Sequence, residues 1–152
     1  MRKLIVVVAT LVTAGLVIGT EAMAQKGVRW RGGGGWGHGT PYGRMYNPQT
    51  VETIRGEVVS VDRIIPLKGM AYGIHVTLKT DKETIPIHLG PGWYIENQDM
   101  NITQTDNIEI KGSRITLEGK PAIIAAEIKK GNDVLVLRDS NGFPVWSGWR
   151  RK

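Results

Sequence analysis

His75 and His88 are the two residues whose type and spacing best suit chemistry in this sequence. Each lies in a stretch where apolar and polar residues alternate, which predicts half-buried β-strands. The intervening residues 80–83 (TDKE) are typical of a tight polar turn. In an antiparallel hairpin the numbers of paired residues have a constant sum, so pairing Thr80 with Glu83 also pairs His75 with His88. The same sum pairs the apolar residues of one face, Leu78 with Ile85, Val76 with Ile87 and Ile74 with Leu89. Directly opposed side chains are about 4.5–5.5 Å apart at Cβ, close enough for two imidazoles to share a transition-metal ion.

A metal site needs more ligands than two imidazoles. His38 is the remaining histidine, and Met70 offers a soft thioether suited to Cu(I). One hypothesis is therefore a Cu or Zn site formed by His75 and His88 with His38 or Met70. The competing interpretation, which we prefer, has no cofactor and places both histidines on the solvent-facing side of the hairpin.

Aromatic and basic residues form a second group with binding chemistry. Proteins that bind single-stranded nucleic acids stack bases on aromatic rings and follow the phosphates with Arg and Lys. The alternative is that Trp93 and Trp146 cap the fold while the terminal clusters are solvated tails. The predicted ligand-binding residues are Arg63, Lys68, Tyr72, His75, Lys79, His88, Trp93, Trp149, Arg150 and Arg151.

The first 24 residues have the layout of a secretory signal peptide: Arg2-Lys3, an apolar run over residues 4–18, and an A-x-A site at residues 22–24. We expect cleavage there, a periplasmic or secreted location, and no stable membrane insertion afterwards; an uncleaved anchor is the alternative. Cleavage would remove two basic residues and one acidic residue, so the net charge falls from +6 to +5. The absence of cysteine excludes disulfides, thiolate metal sites and a cysteine nucleophile.

The sequence after residue 24 predicts one small domain that is flanked by two segments of biased composition. Residues 25–49 are rich in glycine and aromatics, which favours a flexible arm whose last residues dock through Tyr46 or Pro48. Residues 50–139 carry strand patterns, and residues 140–152 form a basic aromatic tail. Apolar residues change sides near Gly56 and again across Gly112, which indicates bulged strands that serve two halves of a barrel.

The order of these elements predicts an all-β fold, a small five- to six-stranded OB-fold-like barrel with a short helical turn between strands 3 and 4. A β-sandwich is the alternative. The ligand face would be the outer side of the hairpin. The predicted core residues are Ile54, Val58, Ile74, Val76, Leu78, Ile85, Ile87, Ile108, Ile110 and Ile124.

Four runs, GEVVSV, HLGPGWYIE, EIKGSRITLEGKPAIIAAEIKKG and LRDSNGFPVWSGWRR, resemble a group of exported bacterial OB-fold proteins, some of them labelled DNA-binding. More distantly, they are similar to the bacterial OB-fold (BOF) family. The resemblance covers roughly residues 45–152 and implies the fold and export. It adds little on function, because one fold hosts many functions.

Catalytic motifs do not stand out. No serine lies in a G-x-S-x-G context, and residues 32–35 lack the Lys-Ser/Thr of a phosphate-binding loop. We therefore expect a non-enzymatic binding module for an anionic polymer or envelope surface, such as nucleic acid or acidic glycan, with a partner protein as a further candidate. The alternative function is a periplasmic metal-handling accessory that uses His75 and His88.

Overall fold

The computed structural model of the chain describes residues 32–147, so the predicted signal peptide and the last five residues lie outside it. Short 3-10 turns occupy Gly32–Gly35, Gly43–Met45 and Pro48–Thr50. The regular elements are β1 (Val51–Ile64), β2 (Gly73–Lys79), β3 (Thr84–Pro91), α1 (Gly92–Ile95), β4 (Asn107–Leu117), β5 (Lys120–Lys130) and β6 (Asp133–Val136). No helix within residues 32–147 is long and apolar enough to span a membrane.

All six strands belong to one sheet, in the order β3-β2-β1-β4-β5-β6. Neighbours in this order are antiparallel, and an additional parallel pairing of β3 with β5, which includes His88 and Ile124, closes the sheet into a ring. The single turn α1 connects β3 to β4. The prediction of a small all-β, OB-like fold is confirmed, and the β-sandwich alternative is wrong because the strands do not form two sheets.

The two long strands β1 and β4 each serve two neighbours. Residues 51–57 of β1 pair with β4, while residues 57–64 pair with β2 in a register that shifts at Val59. A second shift lies opposite Lys111 and Gly112, but there the extra residue is Ala126 of β5. The predicted bulge near Gly56 is therefore confirmed, whereas the bulge predicted in β4 across Gly112 is wrong, because the unpaired residue belongs to the neighbouring strand. Gly56 is needed for a close approach, since a Cβ there would lie 2.2 Å from the carbonyl oxygen of Lys79.

The β2–β3 hairpin has the predicted register over most of its length. His75 pairs with His88, and the Thr80 N–H donates to the Glu83 carbonyl at 2.8 Å. The predicted pairing of Ile74 with Leu89 is wrong, because the register shifts and Ile74 pairs with Gly90 instead. One extra residue on β3 breaks the constant sum, as a β-bulge does.

Most of the predicted core residues lie on the inner face of the ring, but the prediction is wrong for Ile124, which pairs with His88 and therefore shares its outward face. Nine of the ten predicted core residues are buried, and Ile54 is partly buried against them. Strand β5 departs from simple alternation, because every residue from Ala122 to Ala126 is buried. A strand buried on both faces requires a second layer of side chains outside the ring.

That second layer comes from the segment for which we expected a flexible arm. Trp36 and Tyr42 are 0% and 1% exposed, and Tyr46 is also buried. The prediction of a flexible arm is therefore wrong for this part of residues 25–49, whereas docking through Tyr46 is confirmed. The physical reason is that three large aromatic side chains bury enough area to offset the entropy of ordering a glycine-rich segment.

Candidate functional site

The outer face of the β2–β3 hairpin is covered by the chain's own aromatic residues. The Trp36 Nε1–H donates to the Ala71 carbonyl at 2.9 Å, and the Trp146 Nε1–H donates to the Trp36 carbonyl at 2.9 Å. Two strand glycines make room for the indoles. A Cβ on Gly73 would lie 2.2 Å from Trp36, and a Cβ on Gly90 would lie 2.9 Å from Trp146.

His88 lies beneath this cover and is 1% exposed. Its Nδ1 atom shares a hydrogen bond with the Tyr42 hydroxyl at 2.9 Å. Burial, with a smaller contribution from neighbouring His75, lowers the pKa of His88 to about 4. Burial also raises the pKa of Tyr42 above its ordinary range. Both side chains are therefore neutral near pH 7, as buried groups in apolar surroundings should be.

His75 stands opposite His88, as predicted, with ring centroids 6.0 Å apart and ring planes 25° apart. Its Nε2 is 4.0 Å from an Asp62 carboxylate oxygen, while its buried Nδ1 has no hydrogen-bond partner. Partial burial lowers the pKa of His75, and the Asp62 carboxylate opposes that shift. The interpretation of the two histidines as solvent-facing polar residues is wrong, because His88 is buried and His75 is half-buried.

The further metal ligands predicted from sequence are engaged elsewhere. The His38 ring stacks on Phe143 with centroids 4.2 Å apart, and Met70 packs against Gly35. Residues 32–147 contain no group of three or more His, Cys, Asp or Glu side chains that could hold a metal ion. Two nearly parallel imidazole rings also direct their in-plane lone pairs along separate planes, so binding one ion would require side-chain rotation.

Three of the predicted ligand-binding residues lie near the end of the β2–β3 hairpin that is opposite its turn: Arg63, Tyr72 and Trp93. The Arg63 guanidinium carbon is 4.4 Å from the centroid of the Tyr72 ring, and the Arg63 Nη2 is 3.7 Å from Glu96. The Tyr72 hydroxyl donates to Glu96 at 2.7 Å. Burial, followed by this hydrogen bond, raises the pKa of Tyr72 to about 12. Trp93 lies in α1 and is partly buried, and its carbonyl accepts a hydrogen bond of 2.7 Å from the side-chain amide of Asn97.

Lys68 and Lys79 are exposed, whereas Trp149, Arg150 and Arg151 lie outside the described residues. Lys79 borders a groove of about 760 Å³ whose charged lining residues are four acidic and four basic. Residues 32–147 as a whole contain 12 Lys and Arg and 13 Asp and Glu. The described domain is therefore nearly neutral, and the basic excess of the chain lies in its ends.

Residues 50–135, more than half of the chain, match the MamS/MamX magnetosome protein family. The chain belongs to this family. A search of curated proteins finds no match. The family match starts just before β1 and ends within β6, so it covers the ring of this family member. The covering residues Trp36, Tyr42 and Trp146 lie outside the matched range. The similarity to the bacterial OB-fold family stays a prediction.

Two strand glycines are the sequence signal for the covering layer. A glycine inside a strand often marks a place where another group approaches closely. Gly73 and Gly90 are such residues at the ends of β2 and β3. Arg138 was also missed, although it is 3% exposed and contacts the covering aromatics Tyr46 and Trp146.

Proposed function

We propose that this member of the MamS/MamX family is an exported, non-enzymatic binding module that holds an anionic polymer or surface through its two basic ends. The observation that carries the proposal is the hydrogen bond of 2.9 Å from Trp146 to the Trp36 carbonyl. It joins residues 110 positions apart. The two ends of the described domain are therefore close together.

The charge distribution supports this assignment over the hairpin face. Residues 25–31 and 148–152 contain no acidic residue and six basic ones, together with Trp30 and Trp149. The six are Lys26, Arg29, Arg31, Arg150, Arg151 and Lys152. Arg and Lys neutralise anionic groups, and indole rings stack on or pack against the ligand. The ring then acts as a scaffold that brings two basic segments together.

The outer face of the hairpin is less suited to an anionic ligand than the two basic ends are. Its outward residue His88 is buried beneath Tyr42, Arg63 is paired with Glu96, and the groove beside Lys79 has balanced charge. The family description names the magnetosome, and we place the anionic surface in that setting. Export by the predicted signal peptide is part of the same proposal.

The test is the salt dependence of binding to heparin by the protein without residues 1–24. Each basic residue that neutralises an anionic group releases counterions, so log affinity falls linearly with log salt. We expect Arg29→Ala/Arg31→Ala and Arg150→Ala/Arg151→Ala each to weaken binding and flatten that slope. Lys68→Ala/Lys79→Ala, with the same loss of two charges, is the matched control and should change the slope little.

Two results would overturn the proposal. Affinity that does not change with salt would exclude neutralisation of anionic groups as the mechanism. A large effect of the control variant, with no effect of either terminal variant, would assign the binding surface to the exposed lysines Lys68 and Lys79 instead.

Metal handling by His75 and His88 is the second candidate, and one observation favours it. Burial lowers the pKa of both imidazoles, which keeps them neutral near pH 7 as metal ligation requires. The buried Nδ1 of His75 also lacks a hydrogen-bond partner. The candidate needs a third ligand from outside the pair and rotation of at least one ring.

A further inference from the structure

Arg138 is a buried cation in the segment that follows β6. Its backbone N–H donates to the Ala126 carbonyl at 3.1 Å, and its Nη1 donates to the Gly142 carbonyl at 3.0 Å. The guanidinium carbon is 5.5 Å from the Tyr46 ring centroid and 5.2 Å from the Trp146 ring centroid. Aromatic faces attract a cation, so the two rings stabilise its charge.

The rings do not satisfy the in-plane donors of Arg138. Its Nε and Nη2 atoms are buried and have no hydrogen-bond partner. These two N–H groups form one edge of the guanidinium, the fork that binds carboxylate and phosphate with two parallel hydrogen bonds. Buried donors without acceptors cost free energy, so an arrangement that leaves this pair open points to a missing acceptor.

A pocket of about 280 Å³ adjoins Arg138. Lys111 and Ser140 contribute a cation and a hydroxyl to its lining, and Glu127 and Asp139 contribute two carboxylates. The Asp139 carboxylate is already engaged, since Oδ1 accepts the N–H groups of Asn141 and Phe143 at 2.9 Å each. Neither Glu127 nor Asp139 forms an ion pair with Arg138 among the contacts of residues 32–147.

We propose that Arg138 is the anchor of a site for a compact oxyanion, a carboxylate or a phosphate, which occupies this pocket and accepts hydrogen bonds from the Nε and Nη2 edge. Lys111 adds a second positive charge at the rim. The pocket is smaller than those that enclose drug-sized ligands, so its ligand is a small molecule or a single acidic group. The site consists of residues within the described range and includes none of the basic residues of the two ends.

The experiment is a titration of ¹⁵N-labelled protein lacking residues 1–24, followed by NMR at the Nε–H resonance of Arg138. Inorganic phosphate and acetate are added separately, so the two arms distinguish phosphate from carboxylate recognition. We expect a saturable downfield shift of this resonance with one or both anions. Arg138→Lys keeps the charge but removes the fork, and it should reduce affinity at least tenfold, as read from neighbouring backbone amides.

Lys111→Met is the second variant, because an exposed residue can be replaced without loss of folding. It should weaken binding several-fold, whereas Arg55→Lys, which changes an exposed arginine that is paired with Glu109 and does not line the pocket, should leave the titration unchanged. An Nε–H resonance that stays fixed at saturating concentrations of both anions would overturn the proposal. So would an equal response of the Lys111→Met variant and the unmodified protein.

Discussion

The Tyr42 hydroxyl lies 2.9 Å from Nδ1 of His88, although the two residues are 46 positions apart in the chain. Both side chains are almost fully buried, and their rings are stacked with centroids 5.9 Å apart. This contact fixes the glycine-rich segment on the hairpin. It also turns what would be the open ligand face of an OB-like ring into a second buried layer.

Replacing Tyr42 with Phe should destabilise the protein, because it leaves His88 Nδ1 buried without a partner. The expected loss is about 1–3 kcal/mol in the free energy of unfolding. Urea unfolding followed by tryptophan fluorescence measures it. Tyr72→Phe is the matched control, since it removes a hydroxyl that bonds Glu96 at the surface. Equal losses in the two variants would mean that the buried hydrogen bond contributes no more to stability than the exposed one.

Stability should fall as pH drops from about 6.5 toward 4. The pKa of His88 is lowered to about 4, while an unperturbed histidine has a pKa near 6.5. The unfolded chain therefore binds more protons in this window, and protonation favours unfolding. Above pH 6.5 the contribution of His88 is fully present, and about 3 kcal/mol is lost by pH 4, with a smaller contribution in the same direction from His75.

Urea unfolding at a series of pH values checks this dependence. His88→Gln keeps a polar partner for Tyr42 and cannot titrate, so its stability should change less between pH 6.5 and 4. His38→Gln is the control, because that side chain is exposed and stacks on Phe143. A His88→Gln variant with an unaltered pH profile would show that other groups cause the acid sensitivity.

Alternation was sufficient to predict the ring, because a strand with one buried face must place every second residue inward. The apolar pairs Val76 with Ile87 and Leu78 with Ile85 fixed the hairpin register, and His75 and His88 followed from it. The bulge in β1 was visible as a change of side in its apolar residues. Each of these features depends on residues close together in sequence.

The covering layer was not predicted because it depends on contacts between distant parts of the chain. Glycine-rich composition indicates a segment with little area to bury, yet Trp36 and Tyr42 are buried against residues that are distant in the chain. The pairing of Ile74 with Gly90 follows from a bulge, which shifts the register of the hairpin beyond His75 and His88. Arg138 was missed for a similar reason, since its rings come from residues 46 and 146.

Truncation of Ile87 should confirm that the ring interior provides the stability. The side chain is 0% exposed, so Ile87→Ala removes buried methyl groups and leaves a cavity. We expect a loss of about 2–4 kcal/mol in the free energy of unfolding, measured with urea. Val134→Ala on β6, where the residue is 51% exposed, is the control and should change stability by less than about 0.5 kcal/mol. A loss at Ile87 no larger than at Val134 would contradict the inward assignment.

Metal binding by the hairpin pair is decided by calorimetry with Cu(II) and Zn(II) on protein lacking residues 1–24. If His75 and His88 form the site, His75→Ala/His88→Ala should abolish binding. His38→Ala should leave binding unchanged if His38 is not a ligand, and should weaken it without abolishing it if His38 is the third ligand. Any binding should be weak, because two stacked rings must rotate and the Tyr42 bond to His88 Nδ1 competes for one nitrogen.

The same competition gives the metal hypothesis a sharper test than affinity alone. Tyr42→Phe removes the competing hydroxyl and frees His88 Nδ1, so it should strengthen metal binding while it weakens the fold. Metal binding requires neutral imidazoles, so it should weaken as the pH falls and the two histidines gain protons. Because the pKa of both histidines is lowered, this weakening should begin below the pH of about 6.5 that an ordinary histidine would give. Equal binding by the double histidine variant and the unmodified protein would assign the metal to another part of the chain. The histidine pair would then serve only to fill the layer between the ring and its aromatic cover.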